Sequence, residues 1–222
     1  MFHQEDHHMP VRTIPKNYRN VTGVAAARKS LGEAAFESML ERDFLTLLDF
    51  DPAIQSFEVQ PEVIPWTDLT GKRRDYTPDC LARFEDERMK PILFEVKYRE
   101  KLWKDWSEMR PKYREAIHHT AKTNRRFRIV TEKEIYTQYF ESARFLLPFV
   151  RRGIESPEMA AQLVAAIAKL RQTTPNRLLA NLSRNRIEEA RFLPTLWGLI
   201  GTFKIGADLW QPLNMDSKIW SP

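Results

Sequence analysis

The stretch YTPDCLARFEDERMKPILFEVKYRE, residues 76–100, decides the fold. It lies across two β-like runs, RDYTPDCLARFED (74–86) and PILFEVKYR (91–99), which the charged turn EDERMK separates. Short runs of this kind between turn signals predict strands. Glu95 and Lys97 are two residues apart, so on a strand their side chains leave the same face. Pro78-Asp79 precedes Glu95 by 16 residues, and an antiparallel pairing would bring Asp79 to that face too. Two carboxylates so placed offer hard oxygen ligands for a magnesium ion, which takes few protein ligands beside water and phosphate oxygens. Such an ion activates an attacking water and neutralises the charge growing on a scissile phosphate, while a nearby lysine orients the water or stabilises the transition state. The plainer alternative makes Asp79 a turn residue and Glu95 with Lys97 a surface strand pair. Charges in an apolar strand cost free energy, which favours the chemical reading.

Working outward, SLGEAAFESMLERDFLTLLDFDP, from Ser30, carries apolar residues at Phe36, Met39, Leu40, Phe44, Leu47 and Leu48. That spacing predicts an amphipathic helix ended by Asp51-Pro52. SFEVQPEVIPW (56–66) predicts a further strand, and the three strands together a small sheet laid on that helix. Residues 102–123 predict a helix that Pro111 begins, kinks or divides, and RFRIVTEKEI (126–135) a returning strand. Helix, three strands, helix, strand is the order of an α/β fold with helices on both faces of a sheet. Beyond about residue 136 the pattern turns helical. Ser156-Pro157 and Thr174-Pro175 are N-cap and first-turn signals, and a third short helix covers 187–200 despite Pro194. Three such helices predict a helix-turn-helix-like module, with residues 204–220 as a hairpin wing, or equally a plain packing or protein-contact domain.

Composition bounds the function. The chain has 222 residues, 42% of them hydrophobic, with 13 Phe, 6 Trp and 6 Tyr, which is ample for a packed core. The single cysteine, Cys80, permits no internal disulfide and no Cys-rich metal site, as in a reducing cytoplasm. No secretory signal is visible and no apolar run spans a bilayer, so a soluble protein without a membrane partner is expected. Net charge is +5, unevenly spread: residues 1–100 hold 14 basic against 18 acidic residues, and residues 101–200 hold 19 against 10. Lys101, Lys104, Lys112, Arg125 and Arg126 fall in the basic stretch, interleaved with Trp103, Trp106 and Tyr113, and are candidate contacts to DNA phosphates. The bland alternative is a solvated helix face carrying pairs such as Glu108/Lys112. His3, His7 and His8 lie in a polar N-terminal arm, and His118 and His119 near the end of the basic helix, where they are expected exposed or complementing the helix dipole.

The same residues carry a family resemblance. RNVTG (19–23), FESMLERDFLTLLDFDP (36–52), VQP (59–61), YTPDCL (76–81), FEVKYRE (94–100), FRIVTEKEI (127–135) and LWGLIGTFKIGADLWQPL (196–213) resemble TnsA, the endonuclease of heteromeric cut-and-paste transposons, within the PD-(D/E)xK superfamily. The resemblance implies a restriction-endonuclease-like mixed sheet flanked by helices, with a small helical, helix-turn-helix-like C-terminal domain. It divides the chain into an N-terminal arm (1–25), a nuclease domain (26–150) and a winged-helix-like domain (151–222) for partner or DNA contact. It implies a magnesium-dependent endonuclease, manganese substituting, that cuts double-stranded DNA at the 5′ ends of a transposon in the bacterial cytoplasm. A DDE-type transposase and an ATP-dependent regulator are the implied partners.

Carried onto this sequence, the family's pattern makes Asp79, Glu95 and the helix residue Glu41 metal ligands, with Lys97 beside them and Glu37 as the substitute for Glu41. Gln60 is assigned a supporting role behind them. Family members can carry Gln where this chain has Glu95. Two other readings compete: a stand-alone restriction or repair nuclease of the same fold, and a non-catalytic DNA-binding or bridging subunit.

Overall fold

The computed structural model describes residues 22–222, which divide into two compact units at Ile135/Tyr136. The predicted arm over 1–25 lies outside the described residues except for its last four, as do His3, His7 and His8.

In the first unit β1 (Gly23–Val24) pairs with β2 (Ala35–Phe36), and α1 (Met39–Phe50) follows. The predicted helix therefore starts nine residues after Ser30, because Ser38 takes the N-cap and accepts the Glu41 N–H at 3.2 Å. Then come β3 (Ile54–Val59), β4 (Ile64–Thr67), β5 (Arg73–Tyr76), β6 (Cys80–Phe84), β7 (Ile92–Val96), α2 (Arg99–Lys104), α3 (Trp106–Lys122), β8 (Arg126–Val130) and α4 (Glu132–Ile135).

The central sheet has the order β3-β6-β7-β8, antiparallel in its first two pairings and parallel in the last. It is a mixed sheet whose parallel pair is joined through α2 and α3, as a parallel connection requires. On one face Leu40, Phe44, Leu45 and Leu48 of α1 pack against Phe57, Val59, Ala82, Phe94 and Val96. On the other, Leu81 and Leu93 meet Tyr113 and Ala116 of α3, together with Ile64 and Tyr76 of the separate β4–β5 hairpin. This is the α/β, restriction-endonuclease-like architecture.

Three expectations are corrected in detail. The strand expected over 56–66 breaks at Gln60, whose φ of 48° is left-handed and which precedes Pro61, so β3 and β4 join different sheets. The expected strand over 126–135 ends at Val130, since Thr131 accepts the N–H groups of Glu134 and Ile135 and turns the chain into α4. Pro111 neither divides nor begins the helix. The break falls at Asp105, and Pro111 sits inside α3 with loss of one backbone hydrogen bond.

The second unit contains α5 (Gln138–Arg152), α6 (Pro157–Leu170), β9 (Gln172–Thr173), α7 (Pro175–Leu182), α8 (Arg186–Gly201), β10 (Gly206–Ala207) and β11 (Ile219–Trp220). Ser156 and Thr174 are the N-caps that the sequence indicates, each followed by proline. The hairpin ends pair, Gly206 opposite Trp220, and β9 adds on the other side of β11. Helix α5 packs on α8, where a Cβ on Gly201 would strike Val150 and Phe145 meets Trp197 edge-on at 5.1 Å. That packing draws 136–150 into this unit and sets the division before α5 rather than at the expected 150/151. Among the described residues no helix is long and apolar enough to cross a membrane.

Candidate active site

The β6–β7 register builds the site. Cys80 faces Phe94 and Leu81 faces Leu93, and the pairing ends there, with Asp79 the next residue along, bound to Phe94 and Val96 on either side of Glu95. Backbone bonds fix the position: the Asp79 N–H donates to Phe94 C=O at 3.1 Å, and the Asp79 C=O accepts the Gln60 N–H at 3.0 Å. The side chain folds back so that Oδ2 accepts the Val96 N–H at 2.6 Å. Gln60 is buried and its Nε2 donates to Glu37 Oε1 at 3.2 Å, so the kink at Gln60 ties Asp79 to the segment that leads into α1.

Glu41 reaches the same place from the first turn of α1. Its Oε1 accepts the Ser38 hydroxyl at 2.9 Å and its Oε2 the Glu37 N–H at 2.8 Å, a variant of the capping box. Glu41 and Asp79 line one small cleft of about 10 Å³ with Phe44, Val59 and Val96. That is near the smallest volume that holds one water. Loss of hydration raises the carboxyl of Glu41 above its ordinary range, and the charges of Glu37 and Glu95 add to this against the bonds from Glu37 and Ser38. Asp79 is pushed well above its ordinary range by burial first, then by the negative charges of Glu95 and Glu41. Three acidic groups thus crowd one end of the sheet.

Glu95 is only 3% exposed, which excludes the surface strand pair. Its Oε2 accepts the Tyr76 hydroxyl at 2.6 Å, and its Oε1 accepts the Tyr113 hydroxyl and Lys112 Nζ, both at 3.1 Å. Lys97 Nζ stands 4.0 Å from the same Oε1 and keeps 27% of its side chain in contact with solvent. Burial, reinforced by the Glu95 charge, holds both phenols far above the ordinary range, so each remains a donor. Cys80 is buried and its thiol is pushed up by burial, which leaves it a packing residue.

The four residues indicated by the sequence are therefore neighbours, but they do not point at one spot. Among the described residues no group of three His, Cys, Asp or Glu side chains stands close enough to hold a metal ion. The donor set still fits a hard divalent cation, because Asp79 and Glu41 share a water-sized cleft and a magnesium site needs only one or two carboxylates. Glu95 is the departure, held by the two tyrosines and Lys112.

That cage has no signal in the sequence, since Tyr76 comes from the hairpin and Tyr113 from α3. Lys112 is placed differently from a phosphate contact: it is half-buried and pairs with Glu95, not with Glu108. Arg125 is also turned inward, 2.7 Å from Glu62, which His119 meets at 3.0 Å, so His119 is no exposed residue of the helix end. Lys101, Lys104 and Arg126 are exposed.

Residues 51–132 match the family described as the TnsA-like endonuclease N-terminal domain. The match covers Asp79, Glu95 and Lys97 and leaves out Glu41 and the second unit. No curated protein matches the chain.

Proposed function

We propose, from the TnsA-like endonuclease domain at residues 51–132, that the chain is the magnesium-dependent endonuclease subunit of a heteromeric cut-and-paste transposase. On this reading it hydrolyses phosphodiester bonds at the 5′ ends of the transposon. A DDE-type transposase handles the 3′ ends, and an ATP-dependent regulator contacts the C-terminal region. The carrying observation is that Asp79 bonds to Phe94 and Val96 on either side of Glu95, with Lys97 next along the chain and Glu41 lining the cleft that Asp79 lines.

Asp79 and Glu41 would hold the cation, and Glu95 would complete the set. When bound, a divalent cation supplies Lewis acidity toward the phosphate and lowers the pKa of its water. The half-exposed Lys97 ammonium is placed to orient that water or to take up charge on the phosphate oxygens. Lys101, Lys104 and Arg126 offer exposed positive charge for backbone phosphates, a salt-sensitive attraction without sequence content.

The test is strand-specific cleavage of labelled transposon-end DNA by the full chain assembled with the transposase, in magnesium and in manganese. The parent should release 5′-phosphate and 3′-hydroxyl ends, and Asp79→Ala and Lys97→Ala should each lose roughly a hundredfold or more in rate. An assembled parent that cuts at the 3′ ends and leaves the 5′ ends intact would make the chain a bridging subunit instead.

A further inference from the structure

The cage around Glu95 is more than the hydrolytic reading needs. Lys97, one residue past the end of β7, already supplies a cation 4.0 Å from Oε1. Yet Lys112 reaches in from α3 to 3.1 Å of that oxygen, with only 16% of its side chain exposed. Its Nζ lies 4.5 Å from the centroid of the Tyr76 ring and 4.7 Å from that of Tyr113. Each ring therefore gives a hydroxyl to the carboxylate and an electron-rich face to the ammonium, a cation–π arrangement that favours the paired state. Carboxylate, ammonium and both phenols form one closed unit.

An oxygen already neutralised by an ammonium is a poorer ligand for a second cation, and the ammonium repels a divalent ion brought close to it. Building on the nuclease reading, we propose that Lys112 is a positioning residue of this centre, the counter-cation of Glu95 that must yield Oε1 before Glu95 completes the coordination of the ion. Tyr76 and Tyr113 keep the carboxylate and the lysine in register until then. Lys112 thereby lowers the affinity of the isolated chain for the ion, and it acts through Glu95 rather than on DNA.

The experiment is a calorimetric titration of manganese into the full chain, comparing the parent with Lys112→Met, Lys112→Arg and Lys122→Met. Lys122 is exposed on the same helix and controls for the change of net charge. Lys112→Met should bind manganese about tenfold more tightly than the parent, a size set by removing one nearby positive charge. Lys112→Arg and Lys122→Met should stay close to the parent. A merely structural role predicts the opposite sign, because a loosened site binds an ion less well. Lys112→Gln, which keeps a neutral donor at the position, reads the same effect if the methionine variant does not fold. Equal or weaker binding by the Lys112→Met and Lys112→Gln variants overturns the proposal alone. Absence of binding in the parent and in every variant overturns the nuclease reading beneath it.

Discussion

Replacing Glu95 with leucine tests the cage directly, because a side chain of similar size removes the acceptor and leaves its donors in place. Tyr76, 5% exposed, loses the acceptor that its hydroxyl holds at 2.6 Å. An unsatisfied buried donor of this kind costs about 1–3 kcal/mol. Tyr113 fares better, since its hydroxyl retains Met109 Sδ at 3.3 Å as a weak acceptor. Lys112 loses its counter-ion, which costs about 3–5 kcal/mol at a fully buried site. With 16% of the side chain exposed, the lower part of that range or less applies. The apolar gain of leucine returns about 1 kcal/mol, so the net destabilisation is about 3 kcal/mol, a large part of a domain's usual margin. Because the chain has two units, the assay is hydrogen exchange resolved by peptide. Amides of β6 and β7 should exchange about a hundredfold faster in Glu95→Leu. The double variant Glu95→Leu/Lys112→Met should recover about half of the loss, because no charge is then left unpaired. Unchanged protection in Glu95→Leu would refute the cage.

Asp79 should respond in the opposite direction. Burial and the charges of Glu95 and Glu41 raise its carboxyl, so the ionised form costs folding free energy at neutral pH. Asp79→Asn should stabilise the ion-free protein by on the order of 1 kcal/mol, read as a rise of a few degrees in melting temperature. Glu62 is moved by opposing causes: burial raises its carboxyl, but the bonds from Arg125 and His119 win and lower it. Its contribution is thus complete above about pH 4.3, the unfolded value, and is lost as pH falls through the lower folded value. Glu62→Gln should melt below the parent at pH 7, with the gap closing in acid; a constant gap would deny the ion pair. The Cys80 thiol, buried and pushed up, should resist alkylation in the native protein and react only on unfolding.

What the sequence discloses follows from how local each cause is. Capping by Ser156 and Thr174 with proline next in line is a local device, and α6 and α7 start where it indicates. The approach of Asp79 to Glu95 is nearly local too, since one short turn joins β6 to β7 and Asp79, just before β6, bonds to Phe94 and Val96. The start of α1 is less so: Phe36 is buried in β2, and its apolar spacing reads the same as one more helical turn. The left-handed backbone at Gln60 is set by its bonds to Asp79 and Glu37, both distant in the chain. Lys112 and Arg125 sit in a basic run whose composition suggests solvent, and only the tertiary placement of Glu95 and Glu62 turns them inward. Tyr76 and Tyr113 meet across the sheet face from separate elements, which no periodicity records.

The most direct measurement is the anomalous difference density of crystals of the full chain soaked in manganese, taken beside crystals of Asp79→Ala. The expected result is one strong peak in the parent, bound by Asp79 with Glu41 or Glu95 and absent from the variant. A parent that holds no ion at these carboxylates, or an ion indifferent to Asp79, would contradict a metal-dependent nuclease centre.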